Sequence, residues 1–146
     1  MNAAWKKTWI ESSIALTNKA PGQPFLLWVG LRFPNMLRRI VAEGHELANH
    51  GYDRVRLVKF TSQQFRNDVA QSKNVPEQQS GTAARSYRAP SYSVAKSNLW
   101  VHDVLLETGH CYISSIAPIQ YKEYGLPDAP RFSHFRKNEQ IVSSPR

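Results

Sequence analysis

A single cysteine, Cys111, is all that the 146-residue chain carries, which excludes an internal disulfide and a thiolate zinc cluster. Long apolar runs are missing too. None approaches the roughly 18 residues of a membrane span, and polar residues follow Lys6 and Lys7 where a secretory leader needs an apolar stretch. The expectation is a cytoplasmic protein without a membrane span. Acidic residues are scarce, 11 against 19 basic ones, for a net charge of +8. Such an excess suits a polyanion, nucleic acid or an acidic glycan. The basic residues are spread from Lys6 to Arg146 with no run of five like charges and no zinc-finger spacing, so nucleic acid is not the expected partner.

What is present is ordinary globular material: 41% hydrophobic and 11% aromatic residues, enough for one small domain with one core. Short apolar runs alternate with helical stretches, the pattern of β-α units around a parallel sheet. Residues 4–18 read as a weak helix, and 25–29 as a buried strand. Residues 34–43 form a helix that turns Leu37, Ile40 and Val41 to one side, with Pro34 in its first turn and Gly44 as its stop. Residues 46–50 read as a short strand. Thr61-Ser62-Gln63-Gln64 has capping-box spacing and opens a helix with Phe65 and Val69 inward, which Pro76 should end or kink. Residues 84–88 and 111–116 read as strands, the second being the last. Between them, 97–107 form a helix with Val101, Val104 and Leu105 facing the core. From Ala117 onward the chain reads as extended loop.

His50 precedes Gly51 at the end of a strand candidate, where α/β folds place functional groups. His45 is five residues earlier and would face the other side of a strand, so the two would not share a metal. His102 and His110 read as surface residues and Cys111 as a small core residue. Trp28 and Trp100 read as core, whereas Trp5 and Trp9, at helical spacing, would cover an open edge.

The wording around His50 carries more. Gly44-His45-Glu46-Leu47-Ala48-Asn49-His50-Gly51-Tyr52-Asp53, with Tyr87-Arg88-Ala89-Pro90-Ser91-Tyr92-Ser93 and Leu126-Pro127-Asp128-Ala129-Pro130-Arg131-Phe132, resembles the polysaccharide deacetylase (NodB-homology) superfamily, carbohydrate esterase family four. The nearest likeness is to its exosortase- and exopolysaccharide-associated branch, which is bacterial. The resemblance covers about 25–132 and divides the chain into a degenerate segment 1–24, a partial NodB-homology domain 25–133 and a polar tail 134–146. It implies an α/β fold, a partial distorted (β/α) barrel missing its first and last strands. It also implies hydrolysis of the N-acetyl amide of amino sugars in a glycan. In the family a divalent metal, commonly zinc, sits on one Asp and two His; a neighbouring Asp is the base and a late His the acid.

Carried over residue by residue, the family's motifs survive unevenly. The Asp-Asp motif belongs upstream of the 25–29 strand, where Glu11 is the only acidic residue. The second motif keeps His50 as metal ligand but has Arg54 at its second histidine position. A guanidinium has no lone pair to donate. At about 5 Å and an effective dielectric of about 20 it would repel a divalent ion by roughly 6 kcal/mol. The third motif keeps Arg88, which in the family orients the catalytic Asp, with Pro90 and Tyr92 at the sugar groove. Without that Asp, Arg88 is expected to face water unpaired. Ile113 stands where relatives often carry Asp, and His134 comes too early for the final His motif. The expectation is a family member without turnover as the chain stands, or alternatively a non-catalytic glycan-binding or assembly partner in exopolysaccharide synthesis. An active hydrolase with replacement ligands, His45, Asp53 or a distant His joining His50, is the third possibility.

Overall fold

The computed structural model describes residues 24–26, 33–121, 124–136 and 141–145. Strands β1 (Pro24–Leu26), β2 (Glu46–Asn49), β3 (Ser86–Tyr87), β4 (Tyr112–Ile116), β5 (His134–Arg136) and β6 (Ile141–Pro145) make one sheet. Helices α1 (Pro34–Ala42), α2 (Ser62–Ser80) and α3 (Val101–Glu107) connect and cover it. The strand order is β1-β2-β3-β4-β6-β5, parallel except for the β5/β6 pair. The sheet is open, with β1 and β5 at its edges among the described residues. This is the expected α/β arrangement.

Local chemistry explains most of the element ends. Pro34 opens α1, and Gly44 closes it at φ +85. Thr61 caps α2 with a reciprocal capping box: Thr61 Oγ1 accepts from Gln64 N–H, and Gln64 Oε1 accepts from Thr61 N–H. Leu37 and Ile40 of α1 are buried, with Val41 packed on Leu37, Leu47 and Ala84. The larger core gathers Phe65 and Val69 from α2, Tyr87 and Ile113 from the sheet, and Val101, Val104 and Leu105 from α3, with Trp100 against it.

Several expectations are corrected. Helix α2 runs through Pro76 to Ser80, ending at left-handed Gly81. Its face packs on β2 and α1, and that burial offsets the ~3 kcal/mol a mid-helix proline costs locally. His102 and His110 are each 1% exposed rather than on the surface. His102 borders the buried stripe of α3, and its Nδ1 pairs with the Leu99 carbonyl. His110 lies edge-on to the Tyr87 ring, centroids 6.0 Å apart. Cys111 is exposed, at the amino edge of the sheet just before β4. Nor is β4 the last strand: residues assigned to a polar tail form β5 and β6, and β6 pairs directly with β4. Trp5, Trp9, Trp28, Glu11 and the 4–18 helix lie outside the described residues, and only part of the 25–29 strand falls within them. No helix among the described residues is long and apolar enough to cross a membrane.

Candidate functional site

Parallel strands bring their carboxyl ends to one edge of the sheet, and the loops that follow them form the site. The register pairs Asn49 with Tyr87 and Tyr87 with Ile113, so the next residues, His50, Arg88 and Ser114, stand abreast. His50 Nδ1 lies 2.7 Å from the Arg88 carbonyl oxygen, and Arg88 Nη2 donates to Ser114 Oγ at 3.3 Å. A carbonyl only accepts, so Nδ1 carries the proton and Nε2 keeps its lone pair. Burial lowers the pKa of His50 below its ordinary 6.5. The Arg88 carbonyl partly opposes this, and the charges of Arg54 and Arg88 add to it. Arg88 is half-buried and bonded to Ser114, not the water-facing cation the sequence led us to expect.

The opposite side of these strands is a closed polar network. Asn49 is fully buried; its Oδ1 accepts from Gly51 N–H at 2.9 Å and from Ser72 Oγ at 2.8 Å. Its Nδ2 donates to the Val69 carbonyl and to His110 Nε2, both at 3.2 Å. His110 therefore carries its proton on Nδ1, 3.0 Å from Thr108 Oγ1, and Thr108 in turn donates to the Val104 carbonyl at 2.8 Å. Burial, reinforced by the Lys73 charge, lowers the His110 pKa to about 4, against the opposing Leu105 backbone contact. From α2, Asp68 receives the loop after His50: its two carboxylate oxygens accept Tyr52 N–H and Asp53 N–H, each at 3.0 Å. Burial nonetheless raises the Asp68 pKa above the usual carboxylate value, the two N–H donors acting the other way.

Three non-glycine residues among those described have positive φ: Arg54, Ser91 and Tyr92. All three fall on the loops after β2 and β3, and each such conformation costs on the order of 1 kcal/mol. In the second loop Ser93 Oγ accepts Leu57 N–H and donates to the Pro90 carbonyl, while Asn98 bridges Ala95 N–H and the Ser93 carbonyl. Pro90 is buried there and Tyr92 is half-buried. Tyr92 opens onto a cleft of about 450 Å³ that it lines with Ala117, Pro118, Ile119, Tyr124 and Arg131. His134 is on edge strand β5, its Nδ1 3.0 Å from the Phe132 carbonyl.

The sequence-predicted residues His50, Arg88, Pro90 and Tyr92 thus lie along one sheet edge, with Arg54 on the adjoining turn. Ile113 is fully buried in the core, on the helix side. Asn49, Asp68 and His110 were not picked out from sequence. For Asp68 a signal existed: it shares the inward face of α2 with Phe65, Val69 and Ser72 at spacings of three, four and seven.

The chain's fold is that of the NodB-type barrels. A profile described as polysaccharide deacetylase matches residues 5–108. The chain belongs to the polysaccharide deacetylase family. It is 29% identical over 68 residues to a peptidoglycan-N-acetylglucosamine deacetylase from Bacillus cereus, covering 47% of this chain and 25% of that protein. A candidate polysaccharide deacetylase from Mycobacterium smegmatis superposes with a TM-score of 0.69 at 24% identity, covering 94% of this chain and 44% of the other. A CE4 family pseudoenzyme from Bacillus anthracis superposes at 0.60 and 19% identity, covering 77% and 40%. The chain therefore spans a quarter of the curated relative it matches and less than half of these two structures. The likeness to the two solved structures is one of fold.

The family's divalent metal does not fit the donors described. Among the described residues no three His, Cys, Asp or Glu side chains are grouped to hold an ion. His50 offers Nε2, but the residue four positions on is Arg54, whose cation opposes a second one, and both Asp68 oxygens are turned to backbone N–H groups.

Proposed function

We propose that this chain is a polysaccharide deacetylase family member that engages N-acetylated glycan along the carboxyl edge of its sheet without turning it over with its own residues. The observation that carries this reading is Arg54. A guanidinium takes the second metal-histidine position, on a turn whose backbone Asp68 grips just before it. One imidazole is too small a donor set for zinc, which takes three or four protein ligands. Family membership supports the glycan, and the Arg88–Tyr92 loop supplies the aromatic and polar groups that would meet it. The fold alone does not demand a complete catalytic centre, since one structure that shares it is described as a pseudoenzyme. By the wording of Tyr87–Ser93 and Leu126–Phe132 we assign the chain to the exosortase- and exopolysaccharide-associated branch.

Equilibrium dialysis against zinc, paired with an acetate-release assay on N-acetylglucosamine oligomers, tests the reading. The expected outcome is neither stoichiometric zinc uptake nor acetate above the buffer blank. One equivalent of tightly held zinc together with acetate release would make the chain a working hydrolase and end the proposal.

A further inference from the structure

The cleft beside Tyr92 has a chemical character of its own. It opens directly beyond the carboxyl end of β4, where Ala117, Pro118 and Ile119 follow Ile116. Tyr92 stands on it in a left-handed conformation, φ 50. Tyr124 and Arg131 also line it. Tyr124 is not a loose loop residue. The chain from Ala117 returns on itself: Leu126 N–H donates to the Ala117 carbonyl at 2.8 Å, and Tyr121 N–H to the Tyr124 carbonyl at 3.2 Å. Gly125, at φ +110, lies so close to the Ile119 carbonyl that no side chain fits there. Leu126 is anchored in the core, and the Tyr121 and Tyr124 rings lie 4.8 Å apart and inclined at 31°. Tyrosine is thus held at the cleft before any ligand arrives, and preorganised aromatic faces favour the C–H faces of sugar rings.

Charge is the second feature. Among the described residues that line the cleft, Arg131 is the one charged side chain, a cation. Asp128, the nearest acidic residue to Arg131 in the chain, is engaged by Lys96. The protein as a whole is at +8, so its field also favours an anionic ligand. At about 450 Å³ the cleft has the size of a small-ligand site, and a planar guanidinium suits a carboxylate bidentately.

We propose that the Tyr92–Tyr124–Arg131 cleft is a subsite for a carboxylate-bearing sugar, so that the glycan this chain engages is an acidic one. Tyr92 and Tyr124 supply the stacking faces and Arg131 the partner for the carboxylate. The inference rests on the glycan reading given above, and its test is built to separate the two.

Binding of the 146-residue chain to two probes is measured by calorimetry. One is a hyaluronan oligosaccharide, in which N-acetylglucosamine alternates with glucuronate; the other is a chitin oligomer of equal length, which is neutral. The hyaluronan oligomer should bind at least about tenfold more tightly, and Arg131→Gln should abolish that preference while leaving the chitin oligomer unaffected. Arg131→Lys should keep part of it, and Tyr124→Ala should weaken both. Arg38→Gln, on α1 far from the cleft in sequence, is the control for bulk charge. Arg131 is exposed, so its replacements leave the core intact, and a thermal melt of each variant verifies this. Equal affinity for both probes with Arg131→Gln silent overturns the acidic subsite and leaves glycan binding standing. Equal losses from Arg38→Gln and Arg131→Gln overturn it in favour of unspecific polyanion attraction. Binding of neither probe removes the glycan reading as well.

Discussion

The two sides of the strands at the sheet's carboxyl edge are built to different standards. On the helix side, Asn49 and His110 have every hydrogen-bonding position satisfied, and Tyr87 is packed between the Phe65 and His110 rings. On the groove side, His50 and Arg88 are aligned and half-buried, and the residue four positions after His50 is the exposed cation Arg54. Among the described residues the helix side is a closed polar network, whereas the groove side groups no set of metal donors. Scaffold and chemistry are therefore separable here: buried polar groups cost several kcal/mol to disturb, whereas an exposed side chain on a loop costs almost nothing.

That contrast is breakable by experiment. The largest effect is expected from Asn49→Leu, which removes four buried hydrogen bonds at once and strands the Gly51 N–H. Urea denaturation should show a loss of roughly 3 kcal/mol. A loss below about 1 kcal/mol would mean that the helix side is no better built than the groove side.

Acid comes next. The native His110 imidazole takes up a second proton only below about pH 4, whereas the same group in the unfolded chain takes one up near its ordinary 6.5. Between those values the unfolded state binds the extra proton. Stability is thus whole above about pH 6.5, declines as the pH falls, and has lost His110's full contribution below about pH 4, with an upper limit on the order of 3 kcal/mol. The lowered pKa of His50 acts in the same sense. Urea midpoints at neutral pH and at pH values inside that window measure the fall, and His110→Asn should flatten it. A pH-independent midpoint would show that the network does not keep its imidazole neutral.

The smallest stability effect should come from Arg54→His, on the groove side. Position 54 is exposed and left-handed, a conformation histidine accepts better than most residues. The midpoint should move by less than about 0.5 kcal/mol. Zinc affinity should rise at least about tenfold, because a repelling cation becomes a donor. Equal zinc affinity in both proteins would dissolve the distinction between the two sides.

How much of this was readable depended on where each signal lay. Helix α1, the capping box of α2 and the inward residues of α3 follow from spacing, since each is a local pattern. The groove residues His50, Arg88, Pro90 and Tyr92 were readable because their neighbours in the chain form recognisable blocks. Pro76 does not end α2, as it was expected to unless it kinked the helix, because its local cost is outweighed by packing against partners distant in sequence. His102 and His110 were misread because a polar residue says nothing of the acceptors another segment brings to it. Strands β5 and β6 escaped because their stability comes from backbone pairing to β4 and to each other, and Ser143-Ser144-Pro145 has no apolar rhythm to announce a strand. Asn49 and Asp68 have partners 20 and about 15 residues away, a separation no window of periodicity spans.

The grip of Asp68 on the turn after His50 has a consequence for how such a site can change. Its carboxylate holds main-chain amides, at Tyr52 and Asp53, and reads none of the side chains they carry. A fastening of that kind is indifferent to spelling. The letters at 52 to 54 can be rewritten while the turn keeps its shape, and so a fold of this type can present different side-chain chemistry at one fixed place.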